Sequence, residues 1–234
     1  FEYLRVSDVN AGGGATFSAG QGSVDNGGNS GWNFNVITPC SQFQKTYVPD
    51  DNFEAYLEAN GMGDGTANND SVLTASIDTL NYLSIPMLNI SDLTGIEDFT
   101  ALTRLYFWDN QVVNVDLSQN ILLNHLECAN NQLTNLDLSQ NTSLQKLMTH
   151  NNHLTSLDLS QNILLNHLTC DDNQISALDL SNNTLLGVLS CPNTQITSLN
   201  LSNNTNLTVL ACFNNQLTDL DVRNGNNTNF TYFN

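Results

Sequence analysis

Leu105, Leu126, Leu147, Leu168, Leu189 and Leu210 stand 21 residues apart without a break. Around them runs a unit such as Leu123-Asn-His-Leu126-Glu-Cys128-Ala-Asn-Asn131-Gln-Leu133, an L-x-x-L-x-(L/C)-x-x-N-x-L pattern in five or six consecutive copies. A second apolar pair follows in each unit, as in Leu136-Asp137-Leu138-Ser139-Gln140-Asn141 and Leu157-Asp158-Leu159-Ser160-Gln161-Asn162. A fixed period of this length is the mark of a solenoid. Leu126 and Cys128 are two apart, so on an extended strand both face the core, and Leu136 with Leu138 does the same from the opposite wall. Neither strand buries its apolar side alone. Stacked turns at roughly 4.8 Å close over one continuous core. The pattern predicts a β-rich solenoid, a leucine-rich-repeat right-handed superhelix with two parallel β-ladders and an N-terminal helical cap.

Polar positions repeat with the same period. Asn110, Asn131, Asn152, Asn173 and Asn215 fall at the bend after the first strand. An inward amide there can satisfy backbone groups of the neighbouring turn. Thr194 interrupts this series and predicts one less firmly tied turn. Cys128, Cys170, Cys191 and Cys212 take the core position held by Phe107 and by Met148-Thr149 in other turns. They read as buried free thiols acting as small hydrophobes, because in-register parallel side chains stack and fit a disulfide's dihedral poorly. Cys40 lies outside this series, in a linker.

Upstream the period loosens. Leu83-Ser-Ile85 stands 22 residues before Leu105 and reads as a divergent first turn. The run 49–61 predicts a short amphipathic helix, with Asp51 as cap, Glu54 three residues on, Phe53 and Leu57 on one face and Gly61 at its end. A solenoid exposes an apolar end, so a helix lidding that end is expected. Residues 1–38 are glycine-rich with a few strand-like apolar pairs, too few for an independent core. The domain reading is therefore the terminal part of a preceding β-rich, β-helix-like domain at 1–38, a linker at 39–45, a helical cap at 46–82, and repeats at 83–234, truncated at the C-terminus. Because the chain opens without Met or a signal peptide and stops inside a repeat, it reads as a fragment of a longer protein.

The run 48–53 (Val48-Pro-Asp-Asp-Asn-Phe53), the segment Asn89-Ile-Ser-Asp-Leu-Thr-Gly-Ile-Glu-Asp-Phe-Thr-Ala-Leu102 and the 21-residue L-D-L-S-x-N repeats resemble bacterial internalin-like leucine-rich-repeat proteins. More closely, they resemble the repeat regions of large exported proteins of Gram-negative bacteria that use a C-terminal sorting signal. The resemblance spans about residues 46–234. It implies a secreted or cell-surface protein with a binding or adhesion role, and leaves the ligand open, since function lies in the exposed residues.

Charge narrows the classes. Twenty-three acidic residues against five Lys plus Arg give a formal net charge of −18. That field repels phosphate backbones and anionic lipid, so neither nucleic acid nor a membrane is an expected partner. No apolar run reaches the roughly 18 residues of a membrane-spanning helix. The chain shows no isolated Ser, His and acid set, no glycine-rich phosphate loop and no paired carboxylates in contrasting environments, so it does not read as an enzyme.

The chemically richest positions are the outward ones of the first strand and its bend. Arg104, Tyr106, Trp108, His125, Glu127, Lys146, Met148, His150 and His167 are the candidate ligand-binding residues. They gather three of the four histidines and two of the five cationic residues. A zinc site fails on geometry: His125 and His167 lie two turns apart, about 10 Å, and zinc needs every ligand within about 2.3 Å. On the second strand Asp116, Asp137, Asp158, Asp179 and Asp221 form a stripe, with Asn200 interrupting. Neighbouring hydroxyls of the Ser139 and Ser160 type can relieve their repulsion, and calcium is the alternative. The loop Asp64 to Asp70 spaces oxygen ligands like a calcium loop but lacks the later Glu and central Gly of an EF-hand. Asp70-Ser-Val and Asp78-Thr-Leu resemble acceptor triplets for O-glycosylation in the bacterial group above. No cofactor or metal is expected. The reading is a monomeric recognition or adhesion module for a protein or glycan, and the alternative is a rigid acidic spacer in a large surface protein.

Overall fold

The structure is a computed structural model, and it describes residues 5–6, 24–25, 44–225 and 231–233. Cys40 and most of the 1–38 segment lie outside these residues. Two short strands there, β1 (Arg5–Val6) and β2 (Val24–Asp25), pair in parallel.

The 21-residue period becomes one parallel sheet of eight strands. Its strands are β5 (Tyr82–Ser84), β6 (Arg104–Tyr106), β7 (His125–Glu127), β8 (Lys146–Met148), β9 (His167–Thr169), β10 (Val188–Ser190), β12 (Val209–Ala211) and β14 (Tyr232–Phe233). Register follows the leucines: Leu83, Leu105, Leu126, Leu147, Leu168, Leu189 and Leu210 are partnered in succession, and Leu210 pairs with Phe233. The divergent first turn and the longer last one therefore join the same ladder. Each central Leu from 105 to 210 is fully buried, and each such burial contributes roughly 1.5–3 kcal/mol.

The opposite wall departs from expectation. Among the described residues only β11 (Ser198–Asn200) and β13 (Asp219–Asp221) form a ladder there. The preceding turns carry the same L-D-L triplets without strand pairing, so the second of two continuous ladders is absent over most of the solenoid. Alternation requires only an extended chain with leucines inward; it does not require neighbouring turns to stand at hydrogen-bonding distance. At the first leucine of each triplet this unpaired wall is slightly the more exposed, 5–7% for Leu136, Leu157 and Leu178 against 0% for Leu126, Leu147 and Leu168. A cleft of about 400 Å³ lies between the turns bearing Asp137 and Asp158.

Asparagine ladders hold the corners. Asn152 accepts from Leu133 N–H at 2.9 Å and donates to the Cys128 and Thr149 carbonyls at 3.0 and 3.1 Å. Asn110, Asn131, Asn173 and Asn215 bond in the same way. At the break in the series, the Thr194 hydroxyl reaches the Cys191 carbonyl and Asn215 Oδ1. A second ladder escaped the sequence reading. Asn120, Asn141, Asn162, Asn183 and Asn204 are fully buried and each donates to two carbonyls of the preceding turn, as Asn141 does to Leu117 and Asn120 at 3.1 and 3.0 Å. The outer bend adds left-handed residues at Asp109, Asn130, Asn151, Asp172, Asn193 and Asn214, with φ between 51° and 55°. These residue types tolerate that region, whereas most others do not. Met87 takes the equivalent place in the first turn at φ 57°.

Cys128, Cys170, Cys191 and Cys212 are free and buried, in register behind the sheet. Thr149, not Met148, fills their position in the remaining turn and is fully buried. Burial pushes the thiols of Cys128 and Cys191 up to about 12, so they stay protonated and unreactive at neutral pH.

Before the repeats, β3 (Lys45–Tyr47) pairs antiparallel with β4 (Ser71–Leu73), and helix α1 (Asp51–Ala59) lies between them in sequence. The cap is Asp50 and not Asp51: its carboxylate accepts from Asn52 and Phe53 N–H, both at 3.0 Å. Asp50 is extended, at φ −83° and ψ 114°, the conformation a cap requires, and the helix starts one residue on. Glu54 does not reach back to the helix start. It is buried and accepts instead from Asn69 and Asp70 N–H at 3.0 and 3.2 Å, pinning the loop. Gly61, at φ 74°, closes the helix end as expected. Phe53 stacks on Phe99 with ring centroids 6.1 Å apart, making the helix continuous with the solenoid core.

Candidate recognition face

The ladder that buries one leucine per strand turns the residues on either side outward, so the sheet face is three rows deep. Running across the turns, the first row is Tyr82, Arg104, His125, Lys146, His167, Val188 and Val209. The second is Ser84, Tyr106, Glu127, Met148, Thr169, Ser190 and Ala211. A third, just past the strands, holds Trp108, His150 and Asp171. All nine candidate residues thus fall on one connected face, over four consecutive strands. Arg104 and Lys146 are exposed, and the other seven are half-buried against one another.

Contacts knit the face together at the end nearest α1. The Tyr106 ring meets Tyr82 edge-on at 5.4 Å and His125 edge-on at 5.1 Å. His125 Nε2 lies 3.2 Å from Glu127 Oε1. Tyr82 was not among the sequence candidates. Its signal was its place 22 residues before Arg104, which the looser first turn obscured. Beside this cluster Trp108, Glu127, Ala129, Met148 and His150 line a shallow hollow of about 240 Å³.

Electrostatics on the face follow from crowding. Partial burial, reinforced by Lys146 and Arg104, holds His125 below its usual range, with Glu127 pulling the other way. Partial burial, Lys146 and His125 depress His167. Burial also raises the carboxyl of Asp171, which a hydrogen bond from Ser190 partly offsets. The Tyr106 phenol is raised by burial and by Glu127.

The aspartate stripe on the other wall is accounted for locally. Asp116, Asp137, Asp158 and Asp179 each accept the backbone N–H of the serine two residues on at 2.9 Å. This Asx turn, more than the serine hydroxyl, holds these carboxylates below their usual range. The loop Asp64 to Asp70 is likewise tied internally: Asp64 accepts from Thr66 N–H at 2.9 Å, meets Lys45 Nζ at 2.6 Å and is brought down to about 2.

Comparison with known proteins agrees with this geometry. The chain is 40% identical over 74 residues to Internalin J of Listeria monocytogenes, which covers 32% of this chain and 8% of that protein. It also superposes on the functional domain of the same Listeria protein, a structure described as including a cysteine ladder, with TM-score 0.52 and 33% identity over 81% of this chain and 52% of the other. A second Listeria internalin, internalin F, superposes with TM-score 0.58 and 25% identity over 65% and 53% of the two chains. A leucine-rich-repeat protein of Leptospira interrogans shares the fold, with TM-score 0.56 at 22% identity over 61% and 39%. No family model matches the chain. The chain spans about half the length of the first two of these structures, and a small part of the full Internalin J. It is a parallel β-solenoid with homology to internalins of Listeria monocytogenes. Among the described residues no helix is long and apolar enough to cross a membrane.

Proposed function

We propose that the chain is a recognition module that binds a protein or glycan on another surface through the outward face of its eight-stranded sheet. One observation carries this reading. The inward residues of successive turns are nearly constant, while the outward ones change from rung to rung between Tyr82 and His167 and collect Tyr82, Arg104, Tyr106, Trp108, His125 and Lys146 at one end. A scaffold that holds its core fixed and varies one face presents a binding surface. On this reading α1 with β3 and β4 closes the exposed end of a leucine-rich-repeat solenoid. Residues 1–38 belong to a separate β-rich domain joined through 39–45.

The test is binding of the full chain to glycan arrays and to surface-protein extracts. Tyr106→Ala and Trp108→Ala should weaken any interaction found by ~2 kcal/mol or more, the scale of interface hot spots. Asp137→Ala and Asp158→Ala on the opposite wall should leave it unchanged. Dependence on the aspartates alone places the site on the wrong wall. A chain that binds nothing on either panel is a spacer.

A further inference from the structure

The charge of the face has no use inside the fold. Of the four Lys and Arg side chains described, Lys45 pairs with Asp64 at 2.6 Å and Arg223 with Asp221 at 2.6 Å. Arg104 and Lys146 are exposed and have no carboxylate within ion-pair distance. On a chain of net charge −18, these two unpaired cations, exposed on one sheet face with Glu127 between them, are placed to meet negative charge on a partner at two separate points.

Spacing defines the anion. Arg104 and Lys146 both register with His125, so they stand on the first and third of three successive rungs. Two rungs separate them by about 10 Å along the solenoid axis. On the middle rung Glu127 lies beside the row, its carboxylate on the His125 imidazole at 3.2 Å, and it repels a third negative charge placed between the cations. An extended peptide presents same-side charges every second residue, about 6.8 Å apart, and does not match. An extended polysaccharide rises per sugar by close to one rung, so carboxylates on alternate sugars meet the two cations and a neutral sugar crosses Glu127. Tyr106, wedged between Tyr82 and His125, offers a ring held in place for the apolar face of a sugar.

Resting on the recognition reading above, we infer that this face takes an acidic polysaccharide with a carboxylate on alternate sugars, laid across the strands with its charges on Arg104 and Lys146.

The test is calorimetric titration of the full chain with four probes: hyaluronan oligosaccharides, polygalacturonate, dextran and polyglutamate. Hyaluronan, charged on alternate sugars, should bind, and its affinity should fall with salt. Arg104→Gln and Lys146→Gln should each weaken it about tenfold, the loss of one charge-assisted contact. Lys146→Gln combined with His167→Lys moves the second cation one rung further, and should also lose about tenfold, with an unchanged melting profile showing that the fold is intact. Glu127→Gln should improve polygalacturonate, charged on every sugar, by more than it changes hyaluronan. Dextran binding as well as hyaluronan, polyglutamate binding better, indifference to Arg104→Gln and Lys146→Gln, or no hyaluronan binding would each overturn the inference. If those results accompany a Tyr106-dependent ligand on the arrays, the recognition face stands and only its ligand class is wrong. Silence on the arrays as well removes both.

Discussion

Replacing Asn152 by Ala removes a side chain that ties two successive turns of the solenoid together, and the cost follows from counting what each partner keeps. The Cys128 carbonyl still receives Asn131 Nδ2 at 3.2 Å, and the Thr149 carbonyl still receives Asn173 Nδ2 at 3.0 Å. Leu133 N–H donates to Asn152 Oδ1 at 2.9 Å, in a buried corner, and is the group left orphaned. An unsatisfied buried donor costs about 1–3 kcal/mol, and the void left by the amide adds about 1 kcal/mol. The expected loss is therefore about 2–4 kcal/mol, well below what three broken bonds would sum to. Asn152→Asp should lose more, since a carboxylate would face two carbonyls. Asn151→Ala, one residue away and exposed, should cost little beyond the strain of Ala in the left-handed region. Denaturant titration reads the magnitude and amide exchange reads the place, with Leu133 N–H losing protection first. A loss below about 0.5 kcal/mol, with Leu133 still protected, would refute the reasoning that these asparagines carry the stacking.

Thr194→Asn supplies the missing amide oxygen to Ile175 N–H, the counterpart of Leu154 N–H in the previous turn, and should stabilise by about 1 kcal/mol in denaturant titration. Met87→Asn should also gain about 1 kcal/mol, because Met87 sits at φ 57° with 62% exposure and loses almost no packing. His125 and His167 have folded-state values below the unfolded 6.5. The unfolded chain therefore binds protons first, and stability present above about pH 6.5 falls as pH drops through the folded values. Comparing the midpoint shift with pH in His125→Gln and His167→Gln variants checks this, and a slope they leave unchanged would count against it.

The turns and their core were legible because the 21-residue period forces leucines into register, and β5 to β14 follow it strand by strand. The Asn110 to Asn215 ladder and the buried thiols were legible for the same reason: a repeated inward polar or small residue has few other uses. The second wall was not, since Leu136 and Leu138 point inward whether or not their backbone pairs with the next turn. The Asn120 to Asn204 ladder was hidden inside a motif that seemed explained by its leucines and aspartates. Asp50 as cap depended on one residue of register beside Pro49, the resolution at which helix ends are least readable. The candidate face was legible as outward positions; the Tyr82, Tyr106 and His125 ring contacts needed neighbouring rungs to be aligned in space.

Hydroxyl-radical footprinting of the full chain, alone and saturated with its bound partner, tests the recognition face most directly, because the face holds Tyr106, Trp108, Met148 and His150, side chains that such radicals oxidise readily. The account predicts that oxidation of these four falls while Tyr47, Leu164 and Leu185, exposed elsewhere, react as before. Unchanged oxidation at Tyr106 and Trp108, with protection appearing at Leu164 or Leu185 instead, would contradict it.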